Sequence, residues 1–315
     1  MKTFIPAIIE GLQVFIVLLA GPLLVGWVRV LKCWAQGRAS AGVFQPYRDL
    51  SKLFVKDVVL AHNASWIFRS APYVFFGSTL MAGAVIPIVT TGVPLSATAD
   101  IIALVALFAL GRFFIALAGM DIGTAFGGMG SSREMMVASL AEPALLMSVF
   151  TVSLVAGSTS LTHIVEAVTS GIVMLRPSLA FALLAFALII IAETGRIPID
   201  NPATHLELTM IHEAMILEYS GRHLALIEWA GMMKLFLYFA LCTALFFPWG
   251  IAGAGSFTMA AWALGALALK LVVFGFLIVL VETPLAKMRI FRVPEFLGMA
   301  FLFATLGMLS FFILE

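Results

Sequence analysis

Leu179-Ala-Phe-Ala-Leu-Leu-Ala-Phe-Ala-Leu-Ile-Ile-Ile-Ala192 runs directly into Glu193-Thr-Gly-Arg-Ile-Pro-Ile-Asp-Asn-Pro202. The first stretch carries no polar side chain and, with its flanks, reaches the length that crosses a bilayer as one helix. The second opens an acidic segment that continues through Glu218-Tyr-Ser-Gly-Arg222 to Trp229, beyond which Leu235–Phe247 is apolar again. Glu193, Asp200, Glu207, Glu213, Glu218 and Glu228 all fall within 193–229, six of the seventeen acids in the chain. Carboxylates held this close to a membrane handle protons or ions, or pair with bases. The flanking runs decide the fold class, and the acids between them are the feature to be explained.

The whole chain repeats the character of those flanks. Hydrophobic residues make up 62% and charged residues 11%, whereas soluble domains carry about 25% charged residues. The sequence therefore predicts an all-α, polytopic protein of the inner (cell) membrane, a single membrane domain over 1–315 with the lipid bilayer as its solvent. A net charge of +1 gives no basis for nucleic-acid binding. Cys33 and Cys242 form no Cys-x-x-Cys and suggest neither a metal site nor a disulfide framework. Ile5–Val28 follows a single Lys2 and reads as a retained first span rather than a signal peptide.

Apolar runs place about eight spans near 5–28, 71–92, 100–119, 136–158, 178–197, 229–249, 257–282 and 294–314. Lysine and arginine crowd the connections after odd-numbered spans, from Arg29 to Arg69, at Arg133, at Arg196 and Arg222, and at Lys287, Arg289 and Arg292. By the positive-inside rule those loops, about 29–70, 120–135, 198–228 and 283–293, face the cytoplasm, and both termini face the periplasm. Residues 159–177 then read as an outer, solvated connection. The Lys287–Arg292 cluster reads as a topology anchor. Lys234 and Lys270 fall inside spans, and should face the bundle to pair with acids or line a polar path.

Within the first cytoplasmic loop, Tyr47-Arg-Asp-Leu-Ser-Lys-Leu-Phe-Val-Lys56 has apolar residues at helical spacing. It is either an amphipathic helix at the headgroups or, through Arg48, Asp49 and Lys52, a docking surface for a soluble partner. The run Asp121-Ile-Gly-Thr-Ala-Phe-Gly-Gly-Met-Gly-Ser-Ser-Arg-Glu134 is not a dinucleotide fingerprint. Its glycines suit tight turning at a packed interface. Glu142-Pro143 puts a carboxyl beside a proline-loosened backbone inside a span, as a relay station or as a partner for a nearby arginine.

His205 and His212 are spaced to share a helix face, but Ile216 stands where a zinc-protease motif needs its second histidine. No nucleophile–base pair or phosphate loop is present, so the chain alone is not expected to be a catalyst. Glu207 and Glu218 would align if the segment between them were helical, with Glu213 pointing elsewhere. Carboxylates so grouped raise one another's pKa and can share a proton; solvated acids that complement the basic first loop are the other account.

Ala-Glu-Thr-x-Arg-x-Pro-x-Asp-x-Pro over 192–202, with the later Glu218-Tyr-Ser-Gly221, resembles the signature of the complex I membrane subunit that forms the membrane side of the quinone site. The longer wording Gly195-Arg-Ile-Pro-Ile-Asp-Asn-Pro-Ala-Thr-His-Leu-Glu-Leu-Thr-Met210 is more similar to the equivalent subunit of energy-converting nickel–iron hydrogenases and formate hydrogenlyase complexes. The stretches 44–54 and 119–134 resemble that hydrogenase subunit as well. The resemblance implies a non-catalytic, eight-span subunit bridging a cytoplasmic redox arm to antiporter-like membrane subunits. Partners would be hydrogenase large and small subunits and an iron–sulfur protein. It places no cofactor in this chain, with the nickel–iron centre and iron–sulfur clusters in the partners. It puts Glu193, Arg196, Asp200, Glu207 and Glu218 in the cavity and at the start of an acidic path. Glu142 and Glu213 join the relay set, and Arg133, Glu134 and Asp121 the ion-pairing set. Between Asp200 and Glu218 the chain is longer than complex I and lacks its glycine, a departure that speaks against a functional quinone chamber, which the hydrogenase relatives do not need. A quinone-site subunit of complex I and a stand-alone cation antiporter are the alternatives, the latter disfavoured by the lack of an internal repeat.

Overall fold

The computed structural model describes residues 4–91, 100–169, 176–200, 210–251 and 257–314. Among them there is no strand, and Asp100 and Ser160 pair in an isolated bridge. The helices are α1 (Phe4–Ala35), α2 (Gln45–Val55), α3 (Trp66–Val85), α4 (Ile101–Asp121), α5 (Ala125–Ala156) and α6 (Leu161–Thr169). They continue with α7 (Pro177–Glu193), α8 (His212–Ile216), α9 (Gly221–Phe246), α10 (Phe257–Glu282) and α11 (Val293–Leu314), the last entered through a 3-10 turn at Ile290–Arg292.

Among the described residues, six stretches are long and apolar enough to cross a membrane: Ile8–Ala35, Ile101–Asp121, Ala125–Ala156, Gly221–Phe246, Ala261–Glu282 and Ile290–Leu314. The other two expected spans correspond to α3, of 20 residues, and α7, an apolar helix of 17. α1 and α5 have 32 residues each, about 48 Å of helix, and so extend well past a hydrocarbon core of about 30 Å.

α9 is the axis of the bundle. From Met232 to Leu245 every residue is buried, by α1, α3 and α7 among others. α3 pairs with α4, and α5, α7 and α11 form a second packed group. α10 lies at the edge, mainly against α1, where Gly275 admits the Trp27 indole.

Three expectations change. Residues 125–135 are not a loop: α5 starts at Ala125, capped by the Thr124 hydroxyl, which accepts from Gly127 N at 3.3 Å. The turn is confined to 122–124, where Gly123 takes φ +72. Helical glycines normally cost stability, but here they allow backbones to touch. A Cβ on Gly130 would lie 2.9 Å from the Ile211 carbonyl oxygen and 3.0 Å from Ala214. Second, the 159–177 connection, expected to be outer and solvated, contains α6, whose Leu161, Ile164 and Val165 are buried in the core. Third, residues 210–220 hold only the five-residue α8, so no continuous helix leads to Glu218. Glu207 and His205 lie outside the described residues.

Candidate functional site

Arg112 interrupts the apolar run of α4. Its side chain is 5% exposed, and an arginine that deep must be paired. It faces three carboxylates from two other helices. Nε lies 3.4 Å from Glu134 Oε1, Nη1 lies 3.4 Å from Glu142 Oε1, and Nη2 meets Glu193 Oε2. Lys234 of α9 adds a second cation, Nζ 3.1 Å from the same Glu193 oxygen. Glu193 is the last residue of α7, where the helix dipole disfavours negative charge; the two cations compensate. Its carboxylate has no exposure, and Oε1 finds no hydrogen-bond partner among the described residues. Three carboxylates thus converge on the two basic side chains of Arg112 and Lys234.

This cluster borders a cavity of about 220 Å³. Arg112, Glu134, Glu193 and Lys234 line it, together with Arg196, Asp200, Glu213, Glu228 and Arg29. Burial raises the Glu213 pKa above its ordinary value; His212 opposes the shift, while Glu228 and Asp200 reinforce it.

The backbone of 193–200 is clamped from both sides. Arg196 Nη1 donates to Glu282 Oε1 at 2.8 Å, and Lys32 Nζ reaches Glu282 Oε2 at 3.2 Å. Glu282 thereby ties α1 and α10 to the motif. Asp200 Oδ2 accepts from Ile211 N at 3.3 Å and His212 N at 3.1 Å, and Lys287 Nζ is 3.8 Å from Oδ1. Met288 N donates to Pro198 O at 3.0 Å, and Ile197–Pro198 is cis. Burial lowers the Lys287 pKa, Asp200 opposes this, and Arg133 adds to it.

Glu218-Tyr-Ser-Gly221 has a different job. Glu218 is exposed and does not line the cavity. Tyr219 stacks on Phe68 at 3.9 Å between ring centroids, and its hydroxyl donates to Phe68 O at 2.9 Å. The Ser220 hydroxyl donates to Val59 O and accepts from Val59 N. Gly221, at φ +54, leaves room for the Asp57 carbonyl, 2.6 Å from where a Cβ would sit. The motif fastens the start of α9 to the 57–68 chain.

A family profile described as NADH dehydrogenase matches residues 9–313. The chain belongs to that family. Among its relatives, formate hydrogenlyase subunit 4 of Escherichia coli (strain K12) is 34% identical over 299 residues, 95% of this chain and 96% of its own. Hydrogenase-4 component C of the same organism is 33% identical over 296 residues, 94% of this chain and 92% of its own. Among solved structures, a chain of the membrane-bound sulfane sulfur reductase (MBS), an archaeal respiratory membrane complex, superposes with a TM-score of 0.83. It covers 98% of this chain and all of that one at 19% identity, which establishes a shared fold. The protein is a multi-pass membrane member of this family.

Of the residues singled out in the sequence of this family member, Glu134, Glu193, Arg196, Asp200 and Glu213 line the cavity, and Glu142 joins them through Arg112. Arg133 donates to Met210 O at 3.0 Å, bracing the 210–213 segment. Asp121 accepts from Ser65 N at 2.8 Å and locks the start of α3 instead. Arg48 and Lys52 are exposed on α2, while Asp49 is 3.7 Å from Arg29. The opposite face of α2 buries Leu50 against Ala225 and Met232. Lys234 pairs with an acid as expected, whereas Lys270 donates to the Phe247 carbonyl at 2.6 Å and lies over Trp249. Sequence reasoning missed Arg112 and the clasp roles of Glu282 and Lys287. For Arg112 the signal was present, as a lone charge in an otherwise apolar span.

Proposed function

We propose that this chain is the membrane subunit of a nickel–iron hydrogenase of the formate hydrogenlyase or hydrogenase-4 type. It anchors the cytoplasmic redox arm and relays coupling through buried carboxylates to proton or sodium translocation. The observation that carries this reading is full-length similarity, 95% of this chain against 96% of formate hydrogenlyase subunit 4. In this reading α3 and α7 complete eight spans, and both termini are periplasmic, as the lysine and arginine distribution favours. The metal centres belong to hydrogenase large and small subunits and an iron–sulfur protein, not to this chain.

The relay draws support from the charged cavity. A change of charge in the redox arm alters the field at Glu213, Glu228 and Asp200, which line its wall. The proton affinity of that group changes, and Glu193 passes the change to Arg112, Lys234 and Glu142. Glu142 keeps 35% of its side chain exposed inside a membrane helix. Such a carboxylate is costly against lipid and suits a neighbouring antiporter-like subunit. Arg48 and Lys52 on α2 offer the arm its basic contact.

Purification of the native complex through a tag on this subunit tests the assignment. Stoichiometric nickel, iron–sulfur clusters and hydrogen evolution in the purified complex are the expected outcome. A nickel-free complex that reduces quinone with NADH would instead establish the complex I alternative.

A further inference from the structure

One turn beyond Lys234 on α9 stands Tyr238, among the largest fully buried side chains of the protein. Its ring stacks on Phe108 of α4 at 4.8 Å and 18°, and Phe186 of α7 lies 6.5 Å away on another side. Phe108 is itself one turn from Arg112, so the aromatic layer lies directly on the layer of buried charge. Lys234 Nζ sits 5.8 Å from the Tyr238 ring centroid, and Arg112, Glu142 and Glu134 act on the phenol electrostatically. The Tyr238 hydroxyl has no hydrogen-bond partner among the described residues.

A phenylalanine would fill this aromatic slot without that cost, because a buried hydroxyl left unpaired is penalised. Buried polar groups are normally satisfied, by ordered water where protein atoms do not reach. We propose that Tyr238 is a proton-path residue: its hydroxyl holds an internal water against the Arg112–Lys234–Glu142 layer and carries the path one turn deeper into the membrane. In the transfer, the water hands a proton to the phenol oxygen and is reprotonated by a carboxylic acid of the charged layer, as the phenol's own proton leaves to a second internal water on its far side. Tyrosine is neutral before and after, and one positive charge has moved past it. This inference rests on the relay reading above. It adds a station that the carboxylate pattern of the sequence does not contain.

Tyr238→Phe removes the oxygen and keeps the ring stack. In vesicles carrying the intact complex, ions moved per hydrogen produced should fall at least fivefold, while assembly and uncoupled hydrogen production remain. Glu142→Gln run in parallel separates the two levels. If Glu142→Gln uncouples and Tyr238→Phe does not, the Tyr238 inference is overturned and the carboxylate relay stands. If neither uncouples, both fall. Should Tyr238→Phe fail to assemble, Tyr238→difluorotyrosine decides the matter. It keeps the hydroxyl but makes it more acidic, so the pH profile of coupling should move to lower pH; an unmoved profile overturns the proposal.

Discussion

Arg112 and Glu193 form a buried pair between α4 and the last residue of α7, with 5% exposure on the guanidinium and none on the carboxylate. Every other member of the cluster touches one of these two. Removing one partner of a buried pair leaves an uncompensated charge and costs about 3–5 kcal/mol. Arg112→Gln should therefore lower the thermal midpoint of the solubilised complex sharply. Arg112→Lys, which cannot span three carboxylates with one planar group, should recover only part of the loss. A midpoint within a degree or two of the parent in Arg112→Gln would remove the pair from the account.

Glu282 is the clasp between α10 and the motif. Glu282→Gln keeps its shape but leaves Arg196 and Lys32 without a charged partner, a loss of about 1–3 kcal/mol. The 193–200 backbone should then become more open to protease and to amide exchange than in the parent. Unchanged exchange across 193–200 would mean that Met288, Lys287 and the Asp200 contacts hold the loop without it.

How much of this was legible in the sequence follows from where free energy is decided. Apolar runs report burial directly, so α4, α9, α10 and α11 were readable to within a few residues, except at the start of α9. That start is set by Gly221 packing on Asp57, a contact far away in the sequence. The glycines at 127–130 read as a turn because propensity is local, while their use, close approach of α5 to α4 and the 211–214 segment, is tertiary. The acids of 193–229 were visible as a group. Glu218 and Glu193 look alike in sequence, yet one is exposed and the other fully enclosed. Only the fold separates them.

Glu213 gives a pH signature. Its pKa is raised above 4.5, chiefly by burial, so the folded state holds this proton more tightly than the unfolded chain does. The contribution to stability is fully present below 4.5 and is lost as pH rises through the raised value. Glu213→Gln should flatten that part of the stability–pH curve and be relatively more stable at neutral pH. Thermal midpoints measured between pH 4 and pH 8 check this; parallel curves for parent and variant would contradict it.

Arg48 and Lys52 test docking. Both are exposed on α2, away from the face that buries Leu50. Reversal of both to glutamate should leave the subunit in the membrane and release the proposed hydrogenase arm into the soluble fraction, more so as salt is raised. Full retention of the arm on membranes after the double reversal ends the docking proposal.

The central claim is that buried carboxylates pass a redox-driven charge change into ion movement. Glu193→Gln and Glu142→Gln keep size and hydrogen-bonding capacity while removing the titration. The direct measurement is ion flux into sealed vesicles recorded beside hydrogen production and normalised to assembled complex. The account predicts that assembled variants still make hydrogen while moving several-fold fewer ions per electron. Full ion flux per electron in both assembled variants would contradict it and leave Glu142 and Glu193 as structural partners of Arg112.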